Sequence, residues 1–298
     1  MRRPRLLMSG PLLALIAVAV PPRDQRPFSV PAADTGFAAV PGGRLYYEVI
    51  GAGPTVVLLH GGNLDHRMWD QQLPVLLPHF RVVRYDARGF GRSSPADTAF
   101  EAHTDLYALL QHLAVQHASL VGLSLGGRTA IDFALNHPDM VDKLVLAGPG
   151  LSGWQDWSAE DTAWQIAARR AGKANDSAGM AMSWLQSDYM RPAMEQPALA
   201  KRLRAIAAGN ASYWMRLFRH GDLERPADPS ALDRLSEIRA RTLLLVGDRD
   251  SPVIRRIVDT LSSRIPGSVV VLIHGAGHMV NMERPAKFNR TVLDFLAR

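Results

Sequence analysis

No cysteine occurs in the 298 residues. That absence excludes a disulfide scaffold, a thiolate zinc site, a cysteine nucleophile and a cysteine-anchored lipid. Ten histidines are present, but no HExxH pair that would set two zinc ligands on one helix face. Lysine is nearly missing, at four residues against 30 arginines, and the arginines are scattered with no block of interleaved aromatics. The chain therefore lacks the footprint of a nucleic-acid binder. The first 19 residues contain Arg2, Arg3 and Arg5 and no acid, so a formal charge of +6 falls to +3 beyond them. With 47% hydrophobic and 21% charged residues, the chain is not disordered and can bury the core of one large α/β domain or two small ones.

A long uninterrupted apolar run is also missing. The stretch from Leu6 to Val20 is broken by Ser9, Gly10 and Pro11, and it falls short of the roughly 20 residues that span a bilayer. With arginines before it and Ala17-Val18-Ala19 ahead of prolines, it has the layout of a secretory signal peptide over residues 1–19. A secreted or periplasmic protein is expected, with no stable membrane insertion once the segment is removed; an uncleaved anchor is the alternative. Arg2-Arg3 lacks the polar residue before and the aromatic after that mark a twin-arginine signal. A polar linker fills 20–35.

From Gly36 to Ile50, apolar and polar residues alternate around Pro41-Gly42-Gly43, which predicts a hairpin. Short β-branched runs follow at Thr55–Leu59, Arg81–Tyr85, Leu120–Leu123, Leu144–Ala147, Thr242–Val246 and Val269–Ile273. Runs of that kind suit a parallel sheet buried on both faces. Amphipathic stretches at Met68–Leu77, Ala102–Leu113, Ser124–Asn136, Ile254–Arg264 and Pro285–Leu296 alternate with them, giving an α/β, doubly wound domain. The rhythm breaks over 151–229, where five of the six tryptophans and Met180, Met182, Met190, Met194 and Met215 lie. A helical lid is expected there, dividing the core into 36–150 and 230–298. Most of its large side chains should pack the lid down, and some should face an apolar pocket at the sheet's carboxyl edge.

The strongest chemical signal is Gly122-Leu123-Ser124-Leu125-Gly126, a G-x-S-x-G turn between a buried strand and a helix. The two glycines leave space where side chains would collide with the neighbouring strand or helix. A serine hydroxyl needs a base, and the base needs an orienting carboxylate. His278, in the loop beyond Val269–Ile273, is the expected base, and His274 a hydrogen-bonded structural histidine. Asp250 or Asp248 can supply the acid; Asp250, deeper in the loop and just before Pro252, is preferred, with Asp248 as a turn residue. Ala147-Gly148-Pro149-Gly150, at the end of the preceding strand, offers no carboxylate. Oxyanion donors are expected at the N–H of Leu125 and, from His60-Gly61-Gly62-Asn63, at Gly62 or Asn63. His60 should brace that loop. Glu283 and Pro285 read as start signals of the last helix, Asp86 and Arg88 as a mutual brace, and Trp69 as core. No phosphate loop, metal site or cofactor site is present by motif.

On His60-Gly61-Gly62, Asp86 to Ser93, Gly122 to Gly127, Gly247-Asp248-Arg249-Asp250 and Gly277-His278, the chain resembles the α/β-hydrolase superfamily over nearly all of 36–298. It is similar to the lidded branch with small esterases, enol-lactonases, cofactor-free haloperoxidases and C–C hydrolases. The resemblance implies an eight-stranded, mostly parallel sheet, with the lid after the sixth strand. It also sets aside the dehalogenases and epoxide hydrolases, which have aspartate where Ser124 stands; Leu125 leaves the subgroup open.

The leading expectation is a cofactor-free serine hydrolase of a small-molecule carboxylic ester or lactone with an apolar part. The alternatives are C–C or amide hydrolysis, perhydrolysis, and a slow-turnover ligand receptor. Neither substrate identity nor oligomeric state is written in these motifs.

Overall fold

The computed structural model describes residues 32–298, so the expected signal peptide and most of the linker lie outside the described residues. Among the described residues, no helix is long and apolar enough to cross a membrane.

Eight strands form one sheet in the order β1-β2-β4-β3-β5-β6-β7-β8. β1 (Asp34–Val40) and β2 (Gly43–Ile50) make the expected hairpin and pair antiparallel, as do β2 and β4 (Arg81–Tyr85). The remaining pairings are parallel: β3 (Thr55–Leu59) with β4 and β5 (Ala118–Leu123), then β6 (Val141–Ala147), β7 (Arg241–Gly247) and β8 (Val269–Ile273). β1 begins at Asp34 and not at residue 36, because Asp34 and Thr35 still pair with Val49 and Glu48 after the apolar alternation has ended.

Period-two alternation sorts the central strands between two cores. Val56, Leu58 and Val82 belong to the core on one face, and Val57, Leu59 and Val83 to the core on the other. β8 departs from the expected burial: Val269, Val270 and Leu272 are 52, 44 and 43% exposed. Among the described residues, the strand closes the sheet and has only β7 beside it.

Helices Ala102–His112, Leu125–Asn136, Pro252–Arg264 and Pro285–Leu296 follow the expected stretches. The stretch at 68–77 instead divides into a 3-10 turn, His66–Trp69, and a single α-turn, Leu73–Leu76. Pro74 lacks the N–H that a continuous helix would need there. Trp69 is fully buried and packs against Phe288, as core.

Between β6 and Ala231 the insertion has no strand. Its longer helices are Trp164–Lys173, Ser177–Leu185, Pro197–Gly209 and Ala211–His220. Met180, Trp184, Met190, Leu203 and Trp214 join the same core as Val56 and Leu58, which seats the lid on that face. A one-residue bridge between Phe100 and Glu224 ties the end of the insertion back to the core. The chain leaves β3 toward β4 on one side, and β5 takes up the other. Ligands of open α/β sheets bind at the carboxyl ends around such a reversal, and it is there that Gly61 and Ser124 emerge.

Candidate active site

β5 is buried at all six residues and delivers Ser124 in a conformation reserved for sharp turns, φ 53° and ψ −112°. Ser124 caps the helix Leu125–Asn136, and its own N–H donates to the carbonyl of Ala147 at 3.0 Å. A Cβ on Gly122 would lie 2.4 Å from the Gly126 carbonyl oxygen, and one on Gly126 would lie 2.2 Å from that of Leu59. Neither position has room for a methyl group.

His278 stands in the loop between β8 and the short helix Val280–Glu283, and Asp250 in the turn after β7; both are buried. Nδ1 of His278 lies 3.1 Å from each oxygen of Asp250. Asp250 Oδ1 also accepts the N–H of Ser251 at 2.7 Å, which fixes the carboxylate. Asp248 turns elsewhere: it accepts the N–H of Gly275 at 2.8 Å and faces His274 Nδ1 at 3.1 Å, tying the ends of β7 and β8 together.

Two residues beside His278 have a role there that the sequence did not disclose. Glu283 is not merely a start signal for the last helix. It is buried, and it accepts the N–H of Gly277 at 2.8 Å and of Met279 at 3.0 Å, the two peptides that flank His278. Burial pushes its carboxyl up, and these two donors hold the shift back. The available signal was an acid one short helical turn beyond the histidine. Gly148, at φ +46°, is the second: a Cβ there would stand 3.0 Å from Asp250 Oδ2 and 3.2 Å from His278 Nδ1. The end of β6 supplies no carboxylate, but it supplies the space for one.

After β3, His60 Nδ1 bonds the carbonyl of Gly61 at 2.8 Å, and Nε2 accepts the N–H of Ala87 at 2.9 Å. Burial holds this imidazole below its ordinary pKa, so it braces the loop as a neutral ring with its proton on Nδ1. The N–H of Gly61 is directed at Met68 Sδ, 3.2 Å away. Gly62 faces Leu125 across the cavity, with 3.9 Å from a would-be Cβ to the Leu125 side chain. Asn63 is buried at φ 63°, and its Oδ1 has no partner among the described residues.

Ser124, His278, Gly62, Asn63 and Leu125 open onto one cavity of about 430 Å³, within the usual size range of small-molecule sites. Four of the five lid tryptophans, Trp157, Trp164, Trp184 and Trp214, line it. Tyr189 presents its ring edgewise to His278, with centroids 5.4 Å apart. The chain matches the alpha/beta hydrolase fold family over residues 54–285.

The chain belongs to the α/β-hydrolase family.

A protein named as a carbamate hydrolase, RutD, of Caulobacter sp. (strain K31) is 30% identical, over 85% of this chain and 96% of its own. A 2-hydroxy-6-oxononadienedioate/2-hydroxy-6-oxononatrienedioate hydrolase of Pseudomonas putida is 28% identical, over 85% and 91%. The enol-lactonase of Burkholderia xenovorans LB400 superposes with a TM-score of 0.72 at 27% identity, covering 88% of this chain and all of that one. These relatives are hydrolases.

In this α/β-hydrolase, Asp86 and Arg88 do not brace each other. Asp86 bonds His66 Nδ1 at 2.6 Å and the N–H of Arg92 at 2.9 Å, whereas Arg88 forks onto Asp105 at 2.7 and 2.6 Å. Both side chains are buried and take the partners that tertiary packing brings within reach. Asp65, His66 and Asp86 lie close enough to surround an ion, but Asp65 is already engaged by Arg67 and Asn210 and Asp86 by His66.

Asp132, two turns beyond Ser124, tests what burial costs the elbow helix. Its Oδ2 accepts from Ser152 at 2.7 Å while Oδ1 has no partner among the described residues, and burial raises its pKa from 3.8 to about 6. A carboxyl raised on folding favours the folded state only below its unfolded pKa, and that stability is lost as pH rises through the folded value. Asp132→Asn is therefore expected to stabilise the protein at pH 8 by on the order of 3 kcal/mol and to change little below about pH 4. Denaturant unfolding at the two pH values checks this, and equal effects at both would contradict it.

Proposed function

We propose that this protein hydrolyses carboxylic esters or lactones through an acyl-enzyme on Ser124. The observation that carries the reading is the hold of Asp250 on His278 Nδ1 at 3.1 Å, beside a strained serine on the same cavity wall. With Nδ1 held, Nε2 is the nitrogen that accepts the Ser124 proton as Oγ attacks the carbonyl carbon. The N–H groups of Gly62 and Leu125 bind the resulting oxyanion; loss of one such donor costs about 10²–10³ in rate. The tetrahedral intermediate collapses, and the alkoxide leaves with the proton from His278. Water then attacks the acyl-enzyme by the same route and releases the acid. The tryptophan lining supports an apolar acyl or alcohol part. Residues 1–19 support action outside the cytoplasm.

A fluorophosphonate probe tests the nucleophile without assuming a substrate. One adduct is expected, mapped by mass spectrometry to Ser124, with turnover of p-nitrophenyl esters falling in step with labelling. Full ester turnover on labelled enzyme, or an adduct mapped elsewhere, would overturn the reading.

A further inference from the structure

We propose that the cavity sorts esters by charge, favouring a substrate whose remote end is a cationic ammonium group and turning away one that ends in a carboxylate. The proposal rests on the ester-hydrolase reading and adds the substrate class to it.

The cavity's charges are unevenly matched. Among the described residues, Arg128, one helical turn after Ser124, is the one arginine on its wall, and its Nη2 lies 2.7 Å from Glu224 Oε1. An adjoining chamber, which shares Leu125 and Tyr213 with the first, adds Arg88 and Arg216. Arg88 is held by Asp105 and Arg216 by Asp97. Among the described residues, every arginine lining either chamber thus has its own carboxylate, and an incoming carboxylate would have to displace one of them. The Arg88–Asp105 pair is buried, and breaking it would leave a charge uncompensated at high cost; Arg128–Glu224 is part-exposed and Arg216–Asp97 exposed, so those two compete with an incoming carboxylate more weakly. The acids are in excess: Asp222 lies on the same wall as Glu224 and remains after Glu224 has taken Arg128.

Glu224 is held in place. Phe100 donates its N–H to Leu223 at 3.0 Å and accepts that of Arg225 at 2.8 Å, while Asp222 Oδ1 accepts the N–H of Glu224 at 2.9 Å. Around this end stands a wall of rings. Tyr213 lies against Phe90 with centroids 4.1 Å apart and against Trp214 at 5.9 Å, and Trp214 meets Trp164 at 5.2 Å. Aromatic faces attract cations and accept apolar groups.

The test compares p-nitrophenyl esters of one acyl length that end in trimethylammonium, tert-butyl or carboxylate, on wild type and on Glu224→Gln. For wild type, kcat/KM is expected to be about tenfold higher for the ammonium ester than for the tert-butyl ester, and lowest for the carboxylate, with the differences carried by KM. Glu224→Gln frees Arg128 and removes one acid, so the ammonium-to-carboxylate ratio should fall about tenfold or more. A ratio within one protein sample cancels any loss of folded enzyme. A carboxylate ester as good as the tert-butyl ester, or an unchanged ratio in Glu224→Gln, overturns the proposal. Equal turnover of all three overturns this inference alone; no turnover of any, with Ser124 unlabelled by the phosphonate, overturns the ester reading and this inference together.

Discussion

Ser124→Ala is expected to lower kcat on p-nitrophenyl esters about 10⁴-fold or more, and Asp250→Asn about 10⁴-fold, with the fold intact in both. The serine variant loses the atom that bonds to carbon. The asparagine variant keeps the shape of the loop, since Oδ1 can still accept the N–H of Ser251. It loses the charge beside Nδ1, so the imidazole is no longer held in the tautomer that leaves Nε2 free to take a proton. Asp248→Asn is the control for proximity. Asp248 lies two residues away and faces His274 and Gly275, so its variant should retain activity within a few-fold. Steady-state kinetics at neutral pH separates the cases, and an Asp248→Asn variant as inactive as Asp250→Asn would invert the assignment.

Gly126→Ala is expected to destabilise the protein by at least about 3 kcal/mol, at or beyond the upper end of ordinary overpacking. Helix propensity alone favours alanine here by about 1 kcal/mol, so the two effects oppose each other and the sign decides between them. The clash wins because it is with main chain: the added carbon would stand 2.2 Å from the Leu59 carbonyl oxygen, 2.5 Å from its carbon and 2.7 Å from the His60 oxygen. No rotamer change relieves that contact, and β3 cannot retreat from β5 without breaking their ladder. Gly62→Ala is the contrast, since its nearest neighbours are 3.9 Å away. Its midpoint in guanidinium chloride should stay close to that of wild type, while that of Gly126→Ala falls. Equal midpoints would show that the elbow is softer than its geometry implies.

Elements and nearby contacts were legible in the sequence where local chemistry decides them. β3, β4 and β8 begin and end where their β-branched runs do, and the elbow announces itself by two glycines around a serine. Other features depend on partners far along the chain. Nothing in Val269–Ile273 says that it closes the sheet, so its exposed valines could not be foreseen. Arg88 lies two residues from Asp86, yet it pairs with Asp105 on a helix that packing brings near. Arg128 and Glu224 meet across the whole lid. The roles of Gly148 and Glu283 exist only once the ends of β6, β7 and β8 are side by side. Position along a strand can be read from periodicity, but apposition between loops cannot.

The two halves of the proposed machinery also differ in how firmly they are anchored. Ser124 rises from β5, which has β3 on one side and β6 on the other. His278 hangs from β8, which among the described residues is bonded along one side only and turns much of its apolar surface outward. Edge strands open at lower free energy than the centre of a sheet, in excursions that leave the rest folded. When β8 parts from β7, Asp250 stays behind and the histidine loses its orienting carboxylate while the elbow remains assembled. The tie of Asp248 to the N–H of Gly275 and the bond from the Arg249 N–H to the Ala276 carbonyl, at 2.9 Å, join the two strand ends and must break in such an excursion. Local fraying at that one margin is then a route by which hydrolysis would fade before the molecule melts.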